Sequence, residues 1–242
     1  MDISIELVPR NQNYLADAIS QIQQRLPTIN TINIPDIRKV SLRSWQGCEV
    51  THAQYPTSIP HLRAVDTHPD RPLSMLPAIR RLGLRKVLVV TGDTEDGAEP
   101  STTSLALIKR LKQEAPELEI YAALDPYRQD VATEIAYAQQ KIAAGAIGFF
   151  TQPFFDLRLA EIYAEQLTGI EIYWGVAPVL TQRSSRYWKR RNKAIFPRSF
   201  DQSMGWNRQL AKQILNFAKI RGDHVYFMPI RVDIVDYLGG IV

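Results

Sequence analysis

The chain predicts a (β/α)8 barrel of the TIM type, built as a single domain over residues 1–242. Three observations carry that prediction. Short apolar runs alternate with stretches of helical periodicity along the whole chain, at spacings of about 25–30 residues. Several of the runs are continuously apolar rather than alternating, as the buried strands of a parallel sheet are. Neither fingerprint of an open nucleotide-binding sheet is present: no Gly-x-Gly-x-x-Gly follows the first strand, and there is no Gly-x-x-x-x-Gly-Lys. An open doubly wound sheet is the runner-up.

Residues 3–8 read as the first strand, ended by Pro9, with Glu6 inside it. Residues 11–25 form a helix with Leu15, Ala18, Ile19 and Ile22 on one face. A second strand, 31–34, stops at Pro35-Asp36, and 40–50 is weakly helical. Residues 58–65 make a third strand that carries His61, followed by a helix over 70–81 that Gly83 ends. The clearest strand is 86–90, which empties into Thr91-Gly92-Asp93 and a polar loop over 94–100. Ser101-Thr102-Thr103 caps a helix to Glu114. The fifth strand, 119–124, runs into Asp125-Pro-Tyr-Arg128 and a helix over 130–144 that Gly145 caps. The sixth strand, 146–151, meets a polar stop at Gln152-Pro153, then Phe154-Phe155-Asp156 and a helix over 157–167. A seventh strand, 171–176, leads into helices over 184–193 and 202–220, interrupted at Phe196-Pro197. An eighth strand, 224–228, and a last helical segment, 232–238, complete the pattern.

Composition sets bounds on function. With 45% hydrophobic and 22% charged residues, the chain suits a globular protein with a sizeable core. A net charge of +4 fits an anionic small-molecule substrate but is too weak to argue for nucleic acid. The one cysteine, Cys48, allows no disulfide within the chain and points to a cytoplasmic setting. The opening residues do not read as a signal peptide, and no stretch approaches a membrane span. The histidines are not spaced as metal ligands, so a metal site is not expected.

In a parallel barrel, the polar groups at the carboxyl ends of the strands converge on one site. Here they are Glu6, Asp36, His61, Asp93, Asp125 or Arg128, Gln152, and Trp174 with Gly175. Glu6 stands out, because a carboxylate inside an apolar strand is costly unless it faces solvent or a site, and a barrel has no edge strand. Desolvated, it would have a raised pKa and suit general acid work. Asp93 reads equally as a turn cap or a site residue, and a lone histidine such as His61 is more often a core residue satisfied by its neighbours. The basic run from Arg183 to Lys193 reads as a solvated helix face, or else as a collar for a polyanionic ligand.

Taken together, these motifs resemble the methylenetetrahydrofolate reductases. Ile3-Ser-Ile-Glu6-Leu-Val-Pro9 is similar to that family's opening Ser-Phe-Glu-Phe-Phe-Pro-Pro strand, and Pro60-His61-Leu62 to its Pro-His-Leu strand. Thr91-Gly92-Asp93 resembles the end of its Leu-Arg-Gly-Asp, and Glu171 to Pro178 its Pro-Gly-Ile-x-Pro strand. The most specific match joins Lys141-Ile-Ala-Ala-Gly145-Ala to Thr151-Gln152-Pro-Phe-Phe155-Asp156. The resemblance implies reduction of 5,10-methylenetetrahydrofolate to 5-methyltetrahydrofolate with NAD(P)H as reductant, in most members through bound FAD. It casts Glu6 as the general acid toward N10 and Asp93 as the charge that stabilises the iminium intermediate. Gln152 would then hydrogen-bond the pterin, with Phe154 and Trp174 as further substrate contacts. The flavin positions map to His61, Thr91, Gly92, Asp125, Arg128, Glu134 and Lys141. Three of the family's flavin groups are changed: its Arg is Thr91 here, and its Tyr and His are Leu124 and Arg128. The resemblance therefore leans toward the short, flavin-free branch, with Arg38, Arg43 and Arg128 available for phosphates or the folate tail. A non-catalytic or partner-dependent folate-binding barrel stays open, as does another pterin enzyme such as a methyltransferase.

Overall fold

A computed structural model describes residues 1–55, 57–94 and 101–242. Eight parallel strands close in chain order into a barrel, each paired with its sequence neighbours and the last with the first. They are β1 (Ile3–Glu6), β2 (Thr31–Ile34), β3 (Thr57–Arg63), β4 (Lys86–Val90), β5 (Glu119–Leu124), β6 (Gly148–Thr151), β7 (Glu171–Val176) and β8 (His224–Phe227). The helices of the described residues are α1 (Gln12–Arg25), α2 (Ser44–Thr51), α3 (Leu76–Arg81), α4 (Ser104–Glu114) and α5 (Val131–Ala143), followed by α6 (Leu157–Gln166), α7 (Gln182–Arg191), α8 (Met204–Arg221) and α9 (Ile234–Leu238). Among the described residues, no helix is long and apolar enough to cross a membrane.

The fold class is the one the alternating pattern predicts, and the differences lie at element ends. β1 stops at Glu6, two residues before the expected end. The helix expected over 70–81 is helical only from Leu76. The preceding segment carries Pro72, whose missing N–H and fixed φ favour the turns seen there. β3 gives way to a 3-10 turn at Ala64–Asp66 instead of continuing to residue 65. Of the polar loop expected over 94–100, residues 95–100 lie outside the described residues.

Side chains alternate between the barrel interior and the layer beneath the helices. Ser4 and Glu6, Asn33, His61, Tyr121, Phe150, Tyr173 and Tyr226 touch one another across the barrel. Ile5, Ile32, Val87, Val89, Phe149 and Ile172 are fully buried at the alternate positions. At the amino end of the strands the barrel is closed by a polar network. The Tyr173 hydroxyl donates to Asp2 at 2.6 Å, Lys86 Nζ reaches Asp2 at 3.3 Å, and Tyr121 and His224 both reach Glu171 at 2.8 Å.

Candidate active site

The main cavity, about 700 Å³, opens at the carboxyl ends of the strands. Its walls are the segments that follow β2, β4, β5 and β6: Asp36 to Lys39, Thr91 to Thr94, Asp125 with Arg128, and Gln152. A pocket of this size at this end is where a barrel of parallel strands carries chemistry, because each loop there starts from a fixed strand end. Of the residues expected in the site, Thr91, Gly92, Asp93, Asp125, Arg128, Lys141 and Gln152 line this cavity.

Glu6 ends β1 at the same end of the barrel but on its β8 side, half-buried, and does not line the main cavity. Tyr226 of β8 donates its hydroxyl hydrogen to the Glu6 carboxylate. Burial pushes the Glu6 carboxyl above its ordinary value, and the Tyr226 hydrogen bond opposes that in part. His61 lies beside this pair, edge-on to Tyr226, with Nε2 at 3.2 Å from Asn33 Oδ1. Because an amide oxygen only accepts, that contact puts the proton on Nε2. Burial lowers the imidazole pKa to about 3, so His61 is neutral. Asn33 donates in turn to Ser4, which ties β1, β2 and β3 together beneath Glu6.

Asp93 sits at the cavity mouth with its carboxylate exposed and 3.7 Å from Arg191 at the end of α7. Its backbone is held from below: Arg63 Nη2 donates to the Asp93 carbonyl at 2.7 Å. Gly92 adopts φ +84°, and a Cβ there would stand 2.6 Å from Arg63 Nε, so only glycine fits. At β6, Gln152 continues the sheet by donating its N–H to Leu124 O at 2.7 Å, which fixes where its amide side chain starts.

The far wall is cationic. Arg128 Nη2 donates to Glu134 Oε2 at 2.7 Å, and the Lys141 ammonium donates to Ala123 O at 2.6 Å. Both cations lie over the Tyr137 ring, at 4.5 and 4.2 Å. Burial pulls the Lys141 pKa down to about 8, against the opposing pull of Glu134. Burial likewise raises the Asp125 carboxyl.

Besides Glu6, four expected site residues are not in the cavity. Phe154 and Trp174 are fully buried on the outer side of the barrel wall. Phe154 packs on Tyr163 of α6, and Trp174 packs on Phe217 of α8 and donates Nε1–H to Asp223 at 3.0 Å. The cause is strand parity: Tyr173 and Gly175 take the inward positions of β7, which turns Trp174 outward. His61 is enclosed by Asn33 and Tyr226. Glu134 is fully buried, with its oxygens taken by Arg128, Gln129 and the Asp125 N–H. Sequence reasoning missed Arg63, Asn33 and Tyr226. For Arg63 and Asn33 the signal was a polar group inside an otherwise apolar strand, the same one that singled out Glu6; Tyr226 carried none.

Comparison with known proteins adds the family. The family model described as methylenetetrahydrofolate reductase matches residues 6–209. Among curated proteins, the 5,10-methylenetetrahydrofolate reductases of Escherichia coli K12 and Shigella flexneri are each 27% identical over 128 residues. That stretch is 50% of this chain and 43% of those relatives' length. Among solved structures, a 2,3-dimethylmalate lyase is similar with a TM-score of 0.57 at 12% identity, over 99% of this chain and 75% of that one. An oxaloacetate acetylhydrolase is similar with a TM-score of 0.60 at 9% identity, over 94% and 74%. At such identities these two likenesses speak to the barrel fold alone. The family match runs over most of the chain and includes Glu6, Asp93 and Gln152, and the chain belongs to the methylenetetrahydrofolate reductase family.

Proposed function

We propose that the protein reduces 5,10-methylenetetrahydrofolate to 5-methyltetrahydrofolate with NAD(P)H. The observation that carries this reading is the Glu6 carboxyl at the carboxyl end of β1, raised by burial and hydrogen-bonded by Tyr226. A carboxylic acid with a raised pKa holds its proton to higher pH, which suits opening the imidazolidine ring. Glu6 gives its proton to N10 as the bond between the methylene carbon and N10 breaks, which leaves an iminium cation at N5. Hydride from the reduced nicotinamide adds to the methylene carbon, the nicotinamide is oxidised, and Glu6 regains a proton from solvent. Asp93 supplies negative charge beside the cation, and Gln152 offers its amide to the pterin. Arg38, Lys39 and Arg128 give the cavity walls positive charge that suits the phosphates of the nucleotide.

The residues present do not fit FAD. Of the positions that correspond to flavin contacts, His61 has Nε2 on Asn33, Glu134 has its oxygens on Arg128, Gln129 and the Asp125 N–H, and both lie outside the cavity. Thr91 and Leu124 lack the groups expected of them, and Leu124 is fully buried. The reaction is therefore written as direct hydride transfer within one ternary complex.

The test is Glu6→Gln, assayed by NAD(P)H oxidation in the presence of methylenetetrahydrofolate. The variant should lose about 10²–10⁴-fold in turnover while folate affinity persists. Unchanged turnover would remove Glu6 from the mechanism. Folate binding without turnover in the parent protein would favour a binding module. A flavin absorbance band in the purified, folded protein would overturn direct transfer.

A further inference from the structure

We propose that Arg63 is a positioning residue for Asp93, and that it acts as one end of a ladder of ion pairs that begins and ends at the cavity wall. The inference rests on the reading of Asp93 given above, and it concerns a residue that the family resemblance does not assign.

The geometry starts from an anomaly. Arg63 ends β3, is 5% exposed, and borders the cavity in register with Val90 of β4. A buried guanidinium is held by partners or it is costly. Here one arm donates to the Asp93 carbonyl at 2.7 Å, and the other lies 3.7 Å from Asp66 Oδ2. The same Asp66 oxygen accepts from Arg43 Nη2 at 2.8 Å, and that nitrogen is 3.1 Å from Asp36 Oδ2. The order Arg63, Asp66, Arg43, Asp36 alternates in sign and sums to zero. It links the 3-10 turn after β3, the start of α2 and the end of β2 to one carbonyl beside the proposed catalytic carboxylate.

Two further features make the contact specific to the Asp93 loop. Gly92 has no Cβ, and the Arg63 side chain occupies the space one would need, 2.6 Å away at Nε and 3.2 Å at Cβ. The loop itself continues the sheet: Val65 N donates to Thr91 O at 3.1 Å. Thr91, Gly92 and Asp93 are thus clamped on two sides from the end of β3. The loop leaves β4 at an angle that turns the Asp93 carboxylate to the mouth, away from the Arg63 guanidinium that would otherwise neutralise it. An Asp93 carboxylate paired with Arg63 would offer little charge to a cationic intermediate. Holding the loop by its carbonyl keeps the carboxylate off Arg63, with the exposed Arg191 at 3.7 Å beside it.

The test is a double-mutant cycle with a structural readout beside it. Arg63→Met should lower turnover by about 10²-fold, the loss typical of a displaced catalytic group, while the KM for the nicotinamide nucleotide stays near its parent value. Arg63→Lys, which keeps one donor, should recover part of that loss. In an Asp93→Asn background, Arg63→Met should add little, because a residue that acts through Asp93 has nothing left to position. Equal effects in both backgrounds would overturn the proposal. Amide hydrogen exchange on the folded variants reads the contact without any substrate. In Arg63→Met the amides of Gly92 and Asp93 should exchange at least tenfold faster, while those of β4 are unchanged. Unaltered exchange at Gly92 and Asp93 would also overturn it. If the parent protein turns over no folate while exchange responds as expected, the reading of the reaction fails and the clamp stands.

Discussion

At the residue scale the active end of the barrel is a problem of burying charge, and each case is solved by a different partner. Glu6 is raised by burial, with one phenolic donor pulling the other way. Burial also drives the Tyr226 hydroxyl well above its ordinary range, so it stays a donor. Removing that donor should raise Glu6 further. A hydrogen bond to a charged group is worth about 1.5–3 kcal/mol, or about one to two pH units. The pH profile of kcat/KM should fall as Glu6 ionises, and in Tyr226→Phe the falling limb should move to higher pH by that amount. A limb that does not move would mean that the titrating acid is not Glu6. The ring itself is retained in this variant, so its packing on Phe150 at 5.2 Å and on His61 at 6.4 Å is kept. Glu6 was legible in the sequence because its carboxylate breaks an apolar strand. Tyr226 was not, because a tyrosine in a strand is ordinary and only the closure of β8 onto β1 gives it a role.

At the element scale, the strands were legible and the facing of their side chains was not. Continuous apolar runs such as β4 and β6 mark parallel strands because both faces are covered, and for the same reason they carry no inside–outside signal. Phe154 and Trp174 were cast as substrate contacts by the resemblance, whereas they pack onto α6 and α8. The strands also differ from end to end. Their carboxyl ends hold the cavity, and their amino ends hold Asp2, Lys86, Tyr121, Glu171, Tyr173 and His224 in one network. Burial would raise the Asp2 carboxyl, but the Tyr173 hydroxyl and the Lys86 ammonium outweigh it and hold it below its ordinary value. The His224 contact does most to lower Glu171, against the effect of burial. A carboxyl lowered in the folded state stabilises the fold above its unfolded pKa, and that stability is lost as pH falls through the folded value. The melting temperature should therefore drop below about pH 4. Combining Asp2→Asn with Glu171→Gln should flatten that drop and leave turnover unchanged, since the network lies at the end of the barrel away from the cavity. Melting curves across acid pH decide it: an equally steep fall in the double variant would remove the network from acid stability.

At the scale of the whole molecule, different buried groups set the two ends of its pH range. The acid limit belongs to the amino-end carboxylates, and the alkaline side belongs to Lys141 and the buried tyrosines. Lys141 is nearly enclosed at the cavity wall, and burial lowers it from 10.5 to about 8. Between those values the unfolded chain binds the proton that the folded chain has released, so stability rises with pH across that window, by about 3 kcal/mol at most. Tyr121, Tyr127, Tyr163, Tyr173 and Tyr237 act in the opposite sense. Burial raises each above its ordinary value of 10.0, so their contribution is full below that pH and is lost as pH climbs past it. The unfolding free energy should then climb from about pH 8 and turn down past about pH 10. Urea unfolding at a series of pH values measures this curve directly. In Lys141→Met the rise should vanish and the downturn remain, because the tyrosines are untouched. The same slope in parent and variant would show that Lys141 keeps its proton through that range, held by Ala123 O and Glu134 more strongly than burial works against it.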